Sequence, residues 1–176
     1  PFTETEVQSY VSNCYSTGSV SGNMICGGLI GWVYIASSEH QDLFTVINCY
    51  SIGSVHCTGE IRYTGGLIGV ISVGGDIGHI ALISSYYDTQ TSGQSDTGKG
   101  TPKTTAEMKT QETFVDWDFT DVWGIDPAKN EGYPYLLWQQ FEPPPEPFQP
   151  WTPPKLEPSW WEGFKLPFNV LELDED

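Results

Sequence analysis

Apolar and polar residues alternate through VSNCYS (residues 11–16) and GSVSG (18–22), then give way to a short apolar run, GGLIGWVYI (27–35). Alternation of period two predicts half-buried strands, and a short apolar run opened by glycines predicts a buried one. Helical spacing is not sustained anywhere in residues 1–88. The pattern also returns. NCYSTGSV (13–20) reappears as NCYSIGSV (48–55), 35 residues on, and GGLIGW (27–32) as GGLIGV (65–70), 38 residues on. Fixed periods of this size belong to stacked or radial repeat architectures. A unit near 35 residues holds three short strands and their corners, one coil of a β-solenoid. Such a coil cannot bury its own apolar face, so neighbours must stack. The second unit carries three extra residues in HCTGEIRYTGG against SGNMICGG, expected to bulge at a corner. A third unit starts weakly at Ser84-Ser85-Tyr86-Tyr87 and stops, giving about two and a half coils. Asn13, Cys14 and Tyr15 are expected to lie in parallel register on Asn48, Cys49 and Tyr50, with an amide ladder between the asparagines. The expected repeat core is Cys14, Tyr15, Leu29, Cys49, Tyr50 and Leu67.

Beyond the repeats, TTAEMKTQETF predicts one short helix with Thr104 or Thr105 as N-cap and Glu107 nearby. VDWDFTDVWGI alternates Val115, Trp117 and Phe119 against Asp116, Asp118 and Thr120, the pattern of a strand with one apolar face. Trp117, Phe119, Trp123, Tyr133, Tyr135 and Trp138 are expected to cap the open end of the last coil, since a bare edge invites another chain to add on. The expected division is therefore repeats over 1–88, a capping segment over 89–138 and a tail over 139–176.

The paired NCYSxGSV and GGLIG phrases resemble GLUG-motif repeats, which occur in large bacterial and archaeal surface adhesins and beside IgA-specific metallopeptidases. YYDTQTSG, KTTAEMK, WDFTDVWGI and EGYPYLLW are similar, in order, to the segment that closes such arrays, so the resemblance covers about residues 7–138. It implies a right-handed parallel β-solenoid at the cell surface or outside the cell. It does not imply catalysis: the peptidase's H-E-x-x-H is missing, and His40, His56 and His79 are each isolated.

Composition narrows the partners. The 176 residues carry a net charge of −16, which repels nucleic acid and anionic membrane. Arg62 is the only Lys or Arg within residues 1–88, so no cationic patch forms there. No apolar run reaches the roughly 18 residues of a membrane-spanning helix. The chain opens at Pro1 without a signal sequence, as a processed or truncated product would. Cys14, Cys26, Cys49 and Cys57 match no zinc spacing. Four cysteines allow three disulfide connectivities. Cys14 and Cys49 fall on one interior column, where small buried thiols suit a narrow core. A disulfide between Cys26 and Cys57, both near repeat corners, is the other reading.

Residues 139–176 hold nine of the thirteen prolines, a composition that favours extended polyproline II. Phe148, Trp151, Trp160, Trp161, Phe164 and Phe168 are its candidate docking anchors, with Phe141 at its start. Asp116, Asp118 and Asp121 raise calcium but lack a glycine-bearing loop, so a solvated face is the simpler reading. GQSDTGKGT departs from a phosphate loop because Gly100 follows Lys99. Glu4, Glu6, Glu39 and Asp42 have no spacing that demands an acid–base pair, and no G-x-S-x-G elbow is present. The expectation is a non-enzymatic, cofactor-free structural protein: part of a cell-surface fibre, sheath or adhesin whose tail contacts other subunits in a homo-oligomer or filament. The alternative is a glycan-binding module using exposed aromatics.

Overall fold

A computed structural model of the chain describes residues 8–36, 43–74 and 79–139. Glu4, Glu6, His40, Glu39 and Asp42 lie outside these residues, as do Phe141 and all six tail anchors, Phe148, Trp151, Trp160, Trp161, Phe164 and Phe168. Among the described residues the fold is all-β with two one-turn α-helices and two short 3-10 turns. The first repeat supplies β1 (Gln8–Ser12), β2 (Tyr15–Ser16), β3 (Val20–Gly22), β4 (Ile25–Gly27) and β5 (Ile30–Ala36). The second supplies β6 (Leu43–Ile47), β7 (Tyr50–Ser51), β8 (Val55–Cys57), β9 (Tyr63–Gly65) and β10 (Ile68–Gly74). Each strand of one repeat pairs in parallel with its counterpart in the other. The register is the one the repeated phrases specify: Tyr15 opposite Tyr50, Val20 opposite Val55, Gly27 opposite Gly65 and Ile30 opposite Ile68. Between β8 and β9 the three extra residues pass through Thr58–Arg62, outside both ladders, so register before and after them is kept.

The third repeat contributes β11 (His79–Ile83) against β6 and β12 (Tyr86–Asp88) against β7. A four-residue helix α1 (Thr89–Ser92) follows, then a loop to β13 (Thr101–Lys103), which pairs in parallel with β12. The expected helix is α2 (Thr105–Met108), and Thr104 and Glu107 form a capping box at its start. Two further strands, β14 (Trp123–Gly124) and β15 (Tyr135–Leu136), form a small antiparallel pair.

The repeated asparagine makes a corner. Asn13 and Asn48 have φ of 51° and 53°, and Ser84, at the same place in the third repeat, has 43°. Asparagine tolerates this left-handed region better than most residues, because its short amide can bond locally. The corner directs Asn13 N–H to the Ile47 carbonyl (3.2 Å) and Asn48 N–H to the Ile83 carbonyl (3.1 Å), one repeat to the next. The asparagine's contribution is thus a backbone shape. Its expected amide ladder is replaced at Asn13 by a bond from the Trp123 indole to the side-chain oxygen, 3.3 Å. Glycine is required where layers touch. A Cβ on Gly28 would overlap the Gly66 carbonyl oxygen, and one on Gly66 would overlap the Tyr87 ring.

Three apolar clusters hold the fold. The repeat interior contains Val33, Ile35, Val46, Cys49, Leu67, Ile68 and Tyr87, with Cys14 and Leu29 packed against them. Tyr50 belongs to a different cluster with Tyr86, Met108, Phe114, Trp117, Trp123, Tyr133 and Leu136, and Tyr15 packs on it. Strand alternation explains the split: adjacent Cys and Tyr point to opposite faces. Tyr50 is fully buried, and the core it joins with Tyr15 packed against it is separate from the one that holds Cys49 and Leu67. The third cluster is Cys26, Val55 and Cys57, with Val20 against it.

Cys26 and Cys57 are joined in a disulfide with Cα atoms 6.0 Å apart, while Cys14 and Cys49 are free thiols. The bond closes a loop of 31 residues and ties one repeat to the next. Closing a loop of that size restricts the unfolded chain by about 3.7 kcal/mol. Reduction with alkylation is expected to lower the urea-unfolding free energy by about that amount; an unchanged midpoint would show that the bond contributes nothing to stability.

Candidate functional site

The residues from α2 onward, together with the outer face of the repeats, make the most elaborate surface in the molecule. Its base is a tyrosine column. Tyr15 and Tyr50 stack with ring centroids 5.1 Å apart and planes 3° from parallel, and Tyr86 follows in register opposite Tyr50. Against the column lie Trp123, 6.1 Å from both Tyr15 and Tyr50, Trp117, 6.1 Å from Tyr50 and 6.2 Å from Tyr86, and Phe114, 5.5 Å from Tyr86. Trp117 and Trp123 touch each other at 4.3 Å. Offset and tilted aromatic pairs of this kind add attraction beyond area burial.

Polar bonds fix where this layer sits. The Trp123 indole reaches Asn13 in the first repeat, and the Tyr50 hydroxyl donates to the Pro134 carbonyl while accepting from Asn130 Nδ2 (2.8 Å). The Trp117 indole donates to the Ser84 carbonyl in the third repeat, 2.8 Å. Three repeats are thus each held by a residue of the closing segment. Trp117, Trp123 and Tyr133 are buried, Phe119 is half-buried, and Tyr135 is buried on the β14–β15 pair. Trp138 is 75% exposed. The segment runs along the side of the stack rather than closing its end.

The expected strand over residues 115–120 is also corrected. Asp116 has φ 64°, a left-handed kink that ends any ladder, and Asp118 Oδ1 accepts from the N–H groups of Thr120 and Asp121 at 2.8 and 3.0 Å. The acidic run VDWDFTD is a series of turns that aims its aromatics inward. Among the described residues, no group of three or more His, Cys, Asp or Glu side chains is placed to hold a metal ion.

The end of the stack is finished by residues the sequence reading missed. Asp88 is fully buried. Its Oδ1 accepts from the N–H groups of Gln90 and Thr91, capping α1, and its Oδ2 accepts from the hydroxyls of Thr105 (2.7 Å) and Tyr133 (2.8 Å). One carboxylate therefore joins β12, α1, α2 and the aromatic layer. Burial, then the bond to Asp88, pushes the Tyr133 phenol up to about 12. Lys99 donates to the carbonyls of Thr64 and Gly69 and lies 3.8 Å from Asp96 Oδ2. Asp96 Oδ1 accepts from Gly66 N–H, and Ile68 N–H donates to the Lys99 carbonyl. This loop takes the place that a third GGLIG phrase would fill. The Asp-x-x-x-Ser run opening α1 was the available signal for Asp88. The Lys99 loop has no periodicity to read.

At the opposite end, among the described residues, no strand pairs with the outer side of the first repeat. Asn13, Cys14, Tyr15 and Thr17 line a groove of about 500 Å³ with Leu136, Trp138 and Gln139, and the Tyr15 hydroxyl donates to Gln139 Oε1, 2.7 Å. Below it, burial pushes the Cys49 thiol up to about 12. On another face, Trp32 and Tyr34 of β5 are exposed as a tilted pair 5.8 Å apart, with the Trp32 indole bonded to Ser72 Oγ.

No family model and no solved structure matches the chain. One relative is 39% identical over 133 residues: the "Putative Gly-rich membrane protein" of Evansella cellulosilytica. The match covers 73% of this chain and 14% of that protein, so the chain spans about one seventh of its relative's length. No helix among the described residues is long and apolar enough to cross a membrane. The extracellular, cell-surface location expected from the sequence is corrected by this relative, whose name assigns it to a membrane.

Proposed function

We propose that the chain is a right-handed parallel β-solenoid acting as a non-enzymatic structural module of a larger membrane protein, with residues 139–176 carrying its contacts to other subunits. The observation that carries this reading is the register: all five strands of one repeat pair in parallel with their counterparts in the next. Parallel strands joined by crossovers are right-handed in nearly every known case. The GLUG-like phrases support the same architecture, and the relative's name and length support a larger membrane-attached whole. The polar groups of the elaborate face are engaged in holding segments together, as a load-carrying scaffold needs. Asp88 bonds four donors, Tyr50 bonds Pro134 and Asn130, and Lys99 bonds two carbonyls. A proline-rich sequence has few conformations to lose, so little entropy is lost when its aromatics dock.

The test is a cut after Gln139, which leaves the Tyr15–Gln139 bond in place. The expected result is unchanged circular dichroism and melting, with the full chain sedimenting as higher-order species and the cut chain as a monomer. A cut chain that assembles as the full chain does would overturn the role of the tail. If it also bound oligosaccharides, and lost them on Trp32→Ala, the glycan-binding reading would take its place.

A further inference from the structure

We infer that the open edge of the first repeat is a docking surface for one more coil of the same repeat, supplied by the same polypeptide. This rests on the solenoid reading and names its partner. Among the described residues, every strand of the first repeat pairs on one side only, with the second repeat. Side chains at matched positions record what is missing. Cys49, Tyr50, Leu67 and Ile68 are 0% exposed and Val55 is 5% exposed, whereas Cys14, Tyr15, Leu29, Ile30 and Val20 are all only half-buried. The chemistry at each pair is the same or nearly so; what differs is the cover, which is the third repeat over Cys49 and Tyr50 and the loop through Gln94, Lys99 and Gly100 beside Val55, Leu67 and Ile68. These five residues are shaped for burial between two neighbours and have one.

The backbone states the direction. Tyr86 N–H donates to the Cys49 carbonyl and Tyr50 N–H to the Cys14 carbonyl, 2.9 and 3.1 Å. By the same step, Tyr15 N–H faces the open side, toward the place of the next cysteine carbonyl. Ile52 N–H donates to the Ser16 carbonyl, which sets Thr17 N–H in the same direction. The Tyr15 ring, stacked on Tyr50 on one face, offers its other face to a further tyrosine, with Trp138 beside it in the groove.

A second copy of this chain does not fit. The far end is finished by β13 and by the Lys99 loop, so copies could meet only open end to open end. Turning a coil over reverses its circulation, which would make every strand pair antiparallel and break the tyrosine column. The fitting occupant is a coil with a left-handed residue, a cysteine or serine and a tyrosine in the positions of Asn13, Cys14 and Tyr15. The relative, of which the match covers only 14%, has ample length for such coils.

The experiment inserts a second copy of residues 13–47 between Ser12 and Asn13, with Cys14→Ser and Cys26→Ser in the copy. The readout is modification of the original Cys14 by Ellman's reagent under native conditions. In the parent, the half-buried Cys14 is expected to react and the buried Cys49 not to. In the extended chain, Cys14 is expected to slow by at least about tenfold, and the added coil to resist protease, as a docked element opens only rarely. An unchanged Cys14 rate with the added residues digested would overturn the inference. Should the extended chain not fold, the same 35 residues supplied as a peptide to the intact parent give the second measurement: protection at rising peptide concentration supports docking, and its absence overturns it. Protection of Cys14 by rising concentration of the parent itself would identify a second copy as occupant and overturn the assignment made here. The cut after Gln139 reads the tail alone, so the functional reading and this inference can fail separately.

Discussion

Tyr50→Ala is expected to lower the unfolding free energy by about 4–5 kcal/mol, the upper part of the range for buried aromatic truncations. Tyr50 is 0% exposed and touches Tyr15, Phe114, Trp117 and Trp123 at centroid distances of 5.1 to 6.3 Å. Its loss opens a cavity at the junction of the second repeat and the aromatic layer, where β7 is fixed by ladders on both sides and cannot collapse inward. It also strips the Asn130 amide of one partner. Urea unfolding followed by tryptophan fluorescence measures the change, with Trp138→Ala, an exposed ring, as a control expected to stay within about 0.5 kcal/mol of the parent. A loss below about 2 kcal/mol for Tyr50→Ala would mean that the layer is not the keystone described.

Stability is expected to hold up to about pH 9 and then to fall steeply between pH 10 and 12. Burial raises the phenols of Tyr87 and Tyr133 from 10.0 to about 12 and lifts Tyr50 further still, while Cys49 moves from 9.0 to about 12. In each case the neutral form is the one the fold accommodates. The unfolded chain therefore releases these protons first, Cys49 from near pH 9 and the phenols from near pH 10. Stability is full below those values and is lost as pH rises through the folded-state values. Each group approaches a slope of about 1.4 kcal/mol per pH unit only where it is ionised in the unfolded chain and neutral in the folded one, and solvent screening reduces this, so the fall steepens above pH 10. Urea midpoints taken at pH 8, 9, 10 and 11 test the window. Tyr87→Phe and Tyr133→Phe should each flatten the slope, and a midpoint unchanged to pH 11 would refute the burial argument.

The parts of the molecule legible in the sequence are those where one residue repeats at one structural position. NCYS and GGLIG recur because a column of identical side chains in parallel register needs them, and β2 on β7 or β4 on β9 could be paired from the letters alone. The Thr104 cap was legible because its chemistry is local. What failed was whatever depended on a second layer. The alternation in VDWDF imitates a strand, yet Asp116 turns the chain so that Trp117 meets the tyrosine column. The repeat phrases place Tyr15 and Tyr50 in register but do not show which layer buries them, because its residues Phe114, Trp117 and Trp123 lie more than 60 residues downstream. The long-range bonds of Asp88 and Lys99 have no period to read, and only the local cap that Asp88 gives α1 leaves a signal in the sequence.

The disulfide also determines how the molecule yields to force. While Cys26–Cys57 is intact, tension on the two ends cannot lengthen the residues between those cysteines, and the first two coils cannot peel apart at that corner. The boundary between the second and third coils has no covalent tie; it depends on the β6–β11 and β7–β12 ladders and on the aromatic strap alongside. A pull along the stack therefore meets one locked joint and one reversible joint, and extension begins at the second.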